Sequence, residues 1–272
     1  MCLIMMLRWN AVLVSFFMAA AGLRAGEPLF VPHGADAMGM AFSVTATPGH
    51  WNCFNNPALL TKAKSTSFSV ALENRFMMPA LSSKAVSAVI AIKPAPLGVV
   101  TAHYGNADYY RLFTGVGSAV TITESIALGV QVDYISERGI GEYRNVSHVT
   151  FETGMTCLLS SSLTLGLHLF NPLSALNTLP SSIEAGLQWS QADDFLLTLG
   201  SSKVSNEPLS VQCGLSWNVH DRLILRTGYM SSPSAFAFGI GFRTGWVQAD
   251  AGFLMNSMTG VTSSVSIIWT IR

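Results

Sequence analysis

From residue 65 onward, the sequence breaks into segments of about ten residues in which aliphatic residues alternate with small or polar ones. Four segments, 125–136, 162–170, 182–190 and 211–219, keep the alternation without a break. A period of two places successive side chains on opposite faces of a β-strand. The sequence therefore predicts strands that each have one aliphatic face and one face of glycine, serine, threonine and isolated polar residues.

The number of these segments indicates the architecture. Ten further segments, with less sharp ends, are 65–73, 84–93, 97–104, 110–122, 146–159, 194–203, 222–230, 235–243, 245–254 and 261–271. The total of fourteen is even, as single-chain bacterial outer-membrane barrels require. We therefore expect an all-β fold, a transmembrane antiparallel β-barrel of about fourteen strands over residues 65–272.

The low charge of the chain supports a membrane location. Only 11% of the 272 residues are charged, and 15 Lys+Arg balance 15 Asp+Glu, whereas an ordinary soluble domain has about 25% charged residues. Disorder and nucleic-acid binding are disfavoured by this composition, and no apolar run after residue 25 is long enough for a spanning helix. A secreted β-sandwich or lipocalin-like barrel is the alternative, but it would expose large apolar patches to water.

The N-terminus has the pattern of an export signal. Arg8 provides the positive charge, and residues 11–21 form an apolar stretch of the expected length. Cleavage after Ala21 or after Ala25 is compatible with the small residues there. We therefore assign residues 1–25 to a signal peptide and expect an exported protein of the cell outer membrane.

Residues 26–64 lack the alternation and form a separate segment. Asn56 is a suitable helix N-cap and Pro57 a suitable first helical residue, so a short helix is expected there. Gly34 and Gly39 allow close backbone packing. Because fourteen strands enclose more space than the wall side chains of a small barrel fill, we expect residues 26–64 to be a hatch or plug in the lumen.

The same segment carries a resemblance to a known family. The residues concerned are Gly34, Ala35, Gly39, Trp51, Asn52, Asn55, Asn56, Pro57 and Ala58. This pattern resembles the N-terminal signature of the Por-type (PorV/PorQ-like) outer-membrane proteins of the type IX secretion system, which are related to the long-chain fatty-acid transporters. The resemblance implies a fourteen-stranded barrel with an N-terminal hatch in the outer membrane.

The inward face carries a small set of polar residues of both charge signs. They are Asp133, Glu152, Glu184, Arg222, Arg226, Arg243 and Asp250. Mutual pairing that satisfies charge in a closed lumen is the favoured interpretation, and a polar lining for a conduit is the alternative. The six histidines are scattered, and Cys53, Cys157 and Cys213 lack metal-ligand spacing. We therefore expect no metal, no cofactor and no enzymatic activity.

Two functions remain open at this point. The resemblance favours an accessory of protein secretion or envelope assembly, with other secretion-system or envelope subunits as partners. The alternative is a barrel like the fatty-acid transporters, which takes up hydrophobic small molecules. In both cases outer-membrane lipid would surround the barrel, and no nucleic acid is expected as a partner.

Overall fold

A computed structural model describes residues 33–140, 145–174, 179–191 and 194–271. The expected signal peptide, residues 1–25, and the first part of the expected hatch, residues 26–32, lie outside the described residues. Fourteen strands follow one another along the chain. They are β1 (Thr66–Asn74), β2 (Ser82–Ile90), β3 (Leu97–Gly105), β4 (Tyr109–Thr121), β5 (Ile126–Gly139), β6 (Val146–Ser160), β7 (Leu163–Phe170), β8 (Ser182–Gln191), β9 (Phe195–Val204), β10 (Ser210–His220), β11 (Leu223–Ser231), β12 (Ser234–Thr244), β13 (Val247–Asn256) and β14 (Gly260–Ile271).

The strands form one closed antiparallel barrel. Each strand pairs with its neighbours in sequence, and β1 closes the ring against β14 from Thr66–Ile271 to Asn74–Ser263. The predicted fourteen-stranded barrel is confirmed, and the strand ends differ from the sequence prediction by at most three residues. A β-sandwich is excluded, because a closed ring has no free sheet edges.

The alternation seen in the sequence corresponds to two different faces of the wall. On β5, Val130 and Val132 point outward and are 60% and 58% exposed, whereas Gln131 and Asp133 point inward and are 1% and 0% exposed. The same pattern recurs on the other strands, so the outer surface is a continuous aliphatic and aromatic band. Such a band suits a hydrocarbon environment.

Short helices precede the barrel and interrupt its first connection. They are α1 (Ala35–Gly39), α2 (Asn52–Asn55) and three 3-10 helices, Pro57–Lys62, Arg75–Met77 and Pro79–Leu81. The helix expected after Asn56 is thus a 3-10 helix, and the Asn56 side chain accepts a hydrogen bond from the Ala58 amide at 3.0 Å. No helix in the described ranges is long and apolar enough to cross a membrane.

The two ends of the barrel differ in their connections. One end, here called the terminal end, contains the start of β1 and the end of β14. Its connections contain two to six residues. At the opposite end, here the loop end, they contain two to eleven, and the longest joins β7 to β8. The chain enters β1 from residue 64 at the terminal end, so residues 33–64 reach the lumen from that side.

A charged substitution on the outer face tests whether lipid surrounds it. We expect Val132→Lys to lower the stability of the barrel folded in lipid vesicles by about 2–4 kcal/mol, the cost of a lysine near the bilayer midplane. Val132→Leu is the matched control and should change the stability by less than about 1 kcal/mol. Urea unfolding in vesicles measures both values, and equal stability of the two variants would contradict a lipid-facing band.

Candidate functional site

The lumen is occupied by residues 33–64, here called the hatch segment. The stretch from Trp51 to Leu60 is buried throughout, and Trp51, Leu59 and Leu60 are fully inaccessible to solvent. Phe54 packs against Trp51 and against the wall residue Phe113, with ring centroids 6.0 and 5.6 Å apart. The apolar side chains of the hatch segment therefore form the core of the barrel together with inward residues of the wall.

A row of inward-facing glycines lets the hatch segment approach the wall. An added Cβ at Gly129 would lie 2.3 Å from the Ala58 amide nitrogen, and one at Gly166 would lie 2.3 Å from the Thr45 carbonyl oxygen. Ten wall glycines that face the hatch segment in this way, here called the glycine row, are Gly98, Gly129, Gly154, Gly166, Gly186, Gly200, Gly214, Gly228, Gly239 and Gly252. Glycines on β3 and on β5 to β13 therefore let the hatch segment lie close to the wall. The nearest atoms belong to its backbone at Gly129, Gly166, Gly228, Gly239 and Gly252.

Hydrogen bonds between the hatch segment and the wall include bonds between two neutral groups and one bond from a hydroxyl to a carboxylate. Ser43 Oγ lies 2.6 Å from Thr198 Oγ1 on β9. The Asn56 amide donates to the Met155 carbonyl oxygen on β6 at 3.3 Å, and Thr45 Oγ1 donates to Glu184 Oε2 on β8 at 3.2 Å.

One group of inward polar residues, here called the acidic cluster, consists of Asp133, Glu152, His168 and Glu184. His168 Nε2 is hydrogen bonded to Glu152 Oε2 at 2.8 Å, and Gln131 donates to Asp133 at 2.8 Å. His168 Nδ1 lies 3.9 Å from Glu184 Oε2, which is too long for a hydrogen bond. The cluster thus places three carboxyl groups around one imidazole.

A second group, here called the arginine cluster, lies on β11 to β13. Arg226 Nη1 donates to Asp250 Oδ1 at 2.7 Å, and Gln248 donates to the other oxygen of Asp250 at 2.8 Å. Arg243 Nε donates to Gln248 Oε1 at 3.0 Å. The buried Arg226–Asp250 pair is therefore compensated within the wall itself.

Asp36 of the hatch segment faces the arginine cluster. Burial, with a smaller contribution from the nearby Asp250 carboxylate, raises the pKa of its carboxyl to about 6, while Arg226 opposes the shift. Asp36 Oδ1 has no hydrogen-bond partner among the described residues. Asp36, the single acidic residue of the hatch segment, is thus poorly accommodated by the wall in its ionised form.

Among the described residues, a cavity lies in the lumen near each end of the barrel. A cavity of about 360 Å³ at the terminal end is lined by Asp36, His50, Arg226, Arg243 and other polar residues. A cavity of about 130 Å³ at the loop end lies between the hatch segment and β6 to β9. It is lined by His33, Phe54, Glu152, His168, Phe170, Pro180, Ser181, Ser182, Glu184 and Val204.

The structure places most of the residues singled out from the sequence in the lumen. The motif residues Gly34, Ala35, Gly39, Trp51, Asn52, Asn55, Asn56, Pro57 and Ala58 are all buried in the hatch segment. Arg222 is different: it lies exposed in the turn before β11, because the strand begins one residue later and the inward positions start at Ile224. Arg222 therefore does not belong to either cluster.

Several residues of the lumen were not singled out from the sequence. No sequence pattern marked Ser43, Thr45 or Asp36 as lumen residues, because they lie in a segment without periodicity. The glycine row could have been recognised from the sequence, since glycine recurs at inward positions near the middle of successive strands. Cys53, Cys157 and Cys213 are free thiols, and within the described ranges no three His, Cys, Asp or Glu side chains are grouped to hold a metal ion.

Enlarging one residue of the glycine row should displace the hatch segment. We expect Gly129→Val to destabilise the packed lumen by about 1–3 kcal/mol, because the valine would overlap the backbone of Pro57 and Ala58. Limited proteolysis with mass spectrometry should show faster cleavage within residues 33–64 and an intact barrel. Val130→Leu, at the next and outward-facing position, should leave the cleavage pattern unchanged. Unchanged protection in Gly129→Val would mean that the hatch segment does not need this close contact.

The raised pKa of Asp36 predicts a pH dependence of the lumen packing. Because the folded state favours the protonated carboxyl, the contribution of Asp36 to stability is fully present below about pH 4 and is lost as pH rises through about 6. At pH 7, Asp36→Asn should therefore be more stable than the unsubstituted protein, by about 1 kcal/mol or more. Urea unfolding at pH 4 and pH 7 measures the difference. A gain at pH 4 that equals the gain at pH 7 would contradict this assignment.

Comparison with known proteins identifies structures of the same architecture. No protein-family model matches the sequence, and no curated protein matches it. Among solved structures, the chain is similar to the toluene transporter TbuX of Ralstonia pickettii, with 11% identity and a TM-score of 0.66, over 87% of this chain and 97% of TbuX. It is also similar to a FadL homologue of Pseudomonas aeruginosa, with 10% identity and a TM-score of 0.65, over 91% of this chain and all of that one.

A third similar structure is a mutant of the TodX monoaromatic hydrocarbon channel, with 11% identity and a TM-score of 0.69, over 87% of this chain and 98% of the other. At these identities the similarity shows a shared fold. The more specific relation to Por-type secretion proteins, expected from the hatch motif, remains a prediction. The chain thus has the barrel fold of FadL-like transporters and hydrocarbon channels.

Proposed function

We propose that this protein is an outer-membrane channel for hydrophobic small molecules, in which the hatch segment is the movable element. The observation that carries the proposal is the way the lumen is filled. A discrete segment, joined to the barrel through residue 65 at the start of β1, fills the space that wall side chains leave open. Displacement of that segment opens a path without any change in the strand pairing.

The distribution of charge supports a movable hatch segment. The Arg226–Asp250 and His168–Glu152 pairs each join two wall strands, so they persist when the hatch segment moves. The contacts that break include the hydrogen bonds between Ser43 and Thr198 and between Asn56 and Met155. Hydrogen bonds between neutral groups contribute only about 0.5–1.5 kcal/mol each, and Asp36 gains solvent when it leaves.

The loop end carries the features expected of an entrance for apolar solutes. Outer-membrane barrels have short periplasmic turns and longer extracellular loops, so the loop end would face outward from the cell. Large apolar side chains are exposed on five of its seven connections, and these are Phe76, Met77, Met78, Ile140, Leu173, Leu209 and Met258. An apolar rim of this kind favours capture of hydrophobic molecules over passage of polar solutes.

The similar structures support the same proposal, since they include a toluene transporter and a monoaromatic hydrocarbon channel. They favour uptake over the accessory role in secretion that the hatch motif suggested. The short loops agree with this preference, because the longest connection has eleven residues and offers little surface to a secreted protein. A transport channel is also consistent with the expectation of a non-enzyme.

Locking the hatch segment to the wall tests the proposal. Ser43→Cys combined with Thr198→Cys places two thiols where the hydroxyl oxygens are 2.6 Å apart, which suits a disulfide. We expect oxidised cells that express this double variant to take up radiolabelled toluene at least about tenfold more slowly than cells with the unsubstituted barrel. A reductant should restore the rate.

Each single-cysteine variant is the control for the lock and should take up toluene at the unsubstituted rate under both redox conditions. Uptake that persists in the oxidised double variant would show that the hatch segment is not the gate. If cells with the unsubstituted barrel take up toluene no faster than cells without it, the channel function itself is wrong.

A further inference from the structure

The outward face of the strands carries charge of one sign only. All six acidic residues of the described strands face inward, and these are Glu73, Asp133, Glu137, Glu152, Glu184 and Asp250. Three basic side chains of the described strands face outward, and these are Lys84 on β2, Arg138 on β5 and Lys203 on β9. They occupy the same positions in the alternation as exposed aliphatic residues, as Lys84 does with Val86. Lipid around the described strands therefore meets positive side chains and no carboxylate.

These three residues all lie near the loop end. Lys84 is the third residue of β2, and Arg138 and Lys203 are each the second to last residue of their strands. In the half of the described strands that adjoins the terminal end, no outward residue is Asp, Glu, Lys or Arg. Basic side chains that only extend to the nearest membrane interface would be expected at both ends. The one-sided distribution therefore indicates that the lipid at the loop end is anionic.

Two of the three residues belong to one row across β2 to β5. Lys84 is directly opposite His103 on β3, and Tyr110 on β4 is directly opposite Arg138. His103 stacks on Tyr110, with ring centroids 5.3 Å apart and an interplanar angle of 17°, so the two pairs are joined. These four residues are here called the basic row. The row crosses three strand spacings, which is about 14 Å.

No residue in the described ranges neutralises the two charges of the basic row. Lys84 and Arg138 are exposed, and neither makes an ion pair or a side-chain hydrogen bond within those ranges. Arg111, on the inward face of β4, is paired with Glu137 at 2.7 Å. Unpaired charge beside hydrocarbon is unfavourable, so an anion from outside the protein would stabilise the basic row.

The basic row lies at the level expected for lipid headgroups. β5 has 14 residues, whereas about 9–11 suffice to cross the hydrocarbon, so Arg138 extends past it. Tyr134, which also faces outward, donates a hydrogen bond to Ser147 at 3.0 Å, and tyrosine is typical of the membrane interface. Nearer the middle of the barrel, Val86 and Val132 are 45% and 58% exposed and provide an apolar surface for acyl chains.

We propose that the basic row binds a phosphate-bearing lipid of the leaflet at the loop end. Lys84 and Arg138 contact its phosphate headgroup, and its acyl chains lie against Val86 and Val132. The planar guanidinium matches the geometry of a phosphate, and the lysine adds a point charge. This inference goes beyond the proposed channel, since the lipid lies outside the wall and is independent of the position of the hatch segment.

Native mass spectrometry of the mature chain in detergent tests the inference with dioleoyl phosphatidic acid and dioleoylglycerol, which have the same acyl chains and differ in the phosphate. We expect the phosphatidic acid to bind at least about tenfold more tightly. Lys84→Gln combined with Arg138→Gln should reduce this preference at least about threefold. Lys93→Gln combined with Arg222→Gln removes the same charge from exposed positions at the terminal end and should keep the preference.

The controls separate a lipid site from general effects of charge. Equal binding of the two lipids would overturn the proposal, and so would an equal loss of preference in the two double variants, with each barrel shown to be folded by heat-dependent gel migration. An excess of inorganic phosphate, compared with sodium chloride at the same ionic strength, should leave the phosphatidic acid bound. Full displacement would overturn the lipid assignment, because the row would then bind the ion alone. Absence of toluene uptake would contradict the channel and leave the lipid site.

Discussion

The close contact between the backbone of the hatch segment and the backbone of the wall is the constraint on which the rest of the structure depends. A fourteen-stranded barrel is too wide for its own side chains to fill. A further segment of the chain fits closely inside only where the wall residues are glycines, which have no Cβ atom. The glycine row provides that space on ten strands. It also explains the low charge of the chain, because inward positions that could carry large polar side chains in an open pore are here needed for contact.

The lumen is divided by the hatch segment into two chemically different compartments. The loop-end cavity is bordered by the acidic cluster and by Phe54 and Phe170, whereas the cavity at the terminal end is bordered by Arg226 and Arg243 together with Asp36. Along the barrel axis, the ionisable lining thus changes from glutamates and histidines to aspartates and arginines. A charged solute would therefore meet different charged groups before and after passing the hatch segment, while an uncharged apolar solute would be affected much less.

The strands and their faces could be predicted from the sequence because alternation is a local property, visible in 125–136 without knowledge of any other segment. The cap at Asn56 and Pro57 could be predicted for the same reason. The contacts of Ser43 with Thr198 and of Thr45 with Glu184 could not, since they join positions 155 and 139 residues apart and depend on how the hatch segment winds inside the ring. Arg222 shows why a residue at the end of a strand is harder to assign. Its position in the alternation predicted an inward side chain, but β11 starts one residue later, at Leu223.

The order in which the chain is made has a consequence for how the barrel assembles. Gly39 contacts Gly239, and α1 packs against β12 and β13, so the first described helix finds its partners only after the last strands exist. The β1–β14 seam that completes the ring joins strands from the two ends of the chain. Such long sequence separations slow folding. The first helix of the hatch segment therefore lacks these contacts until the last strands have formed, which makes its correct insertion part of barrel assembly.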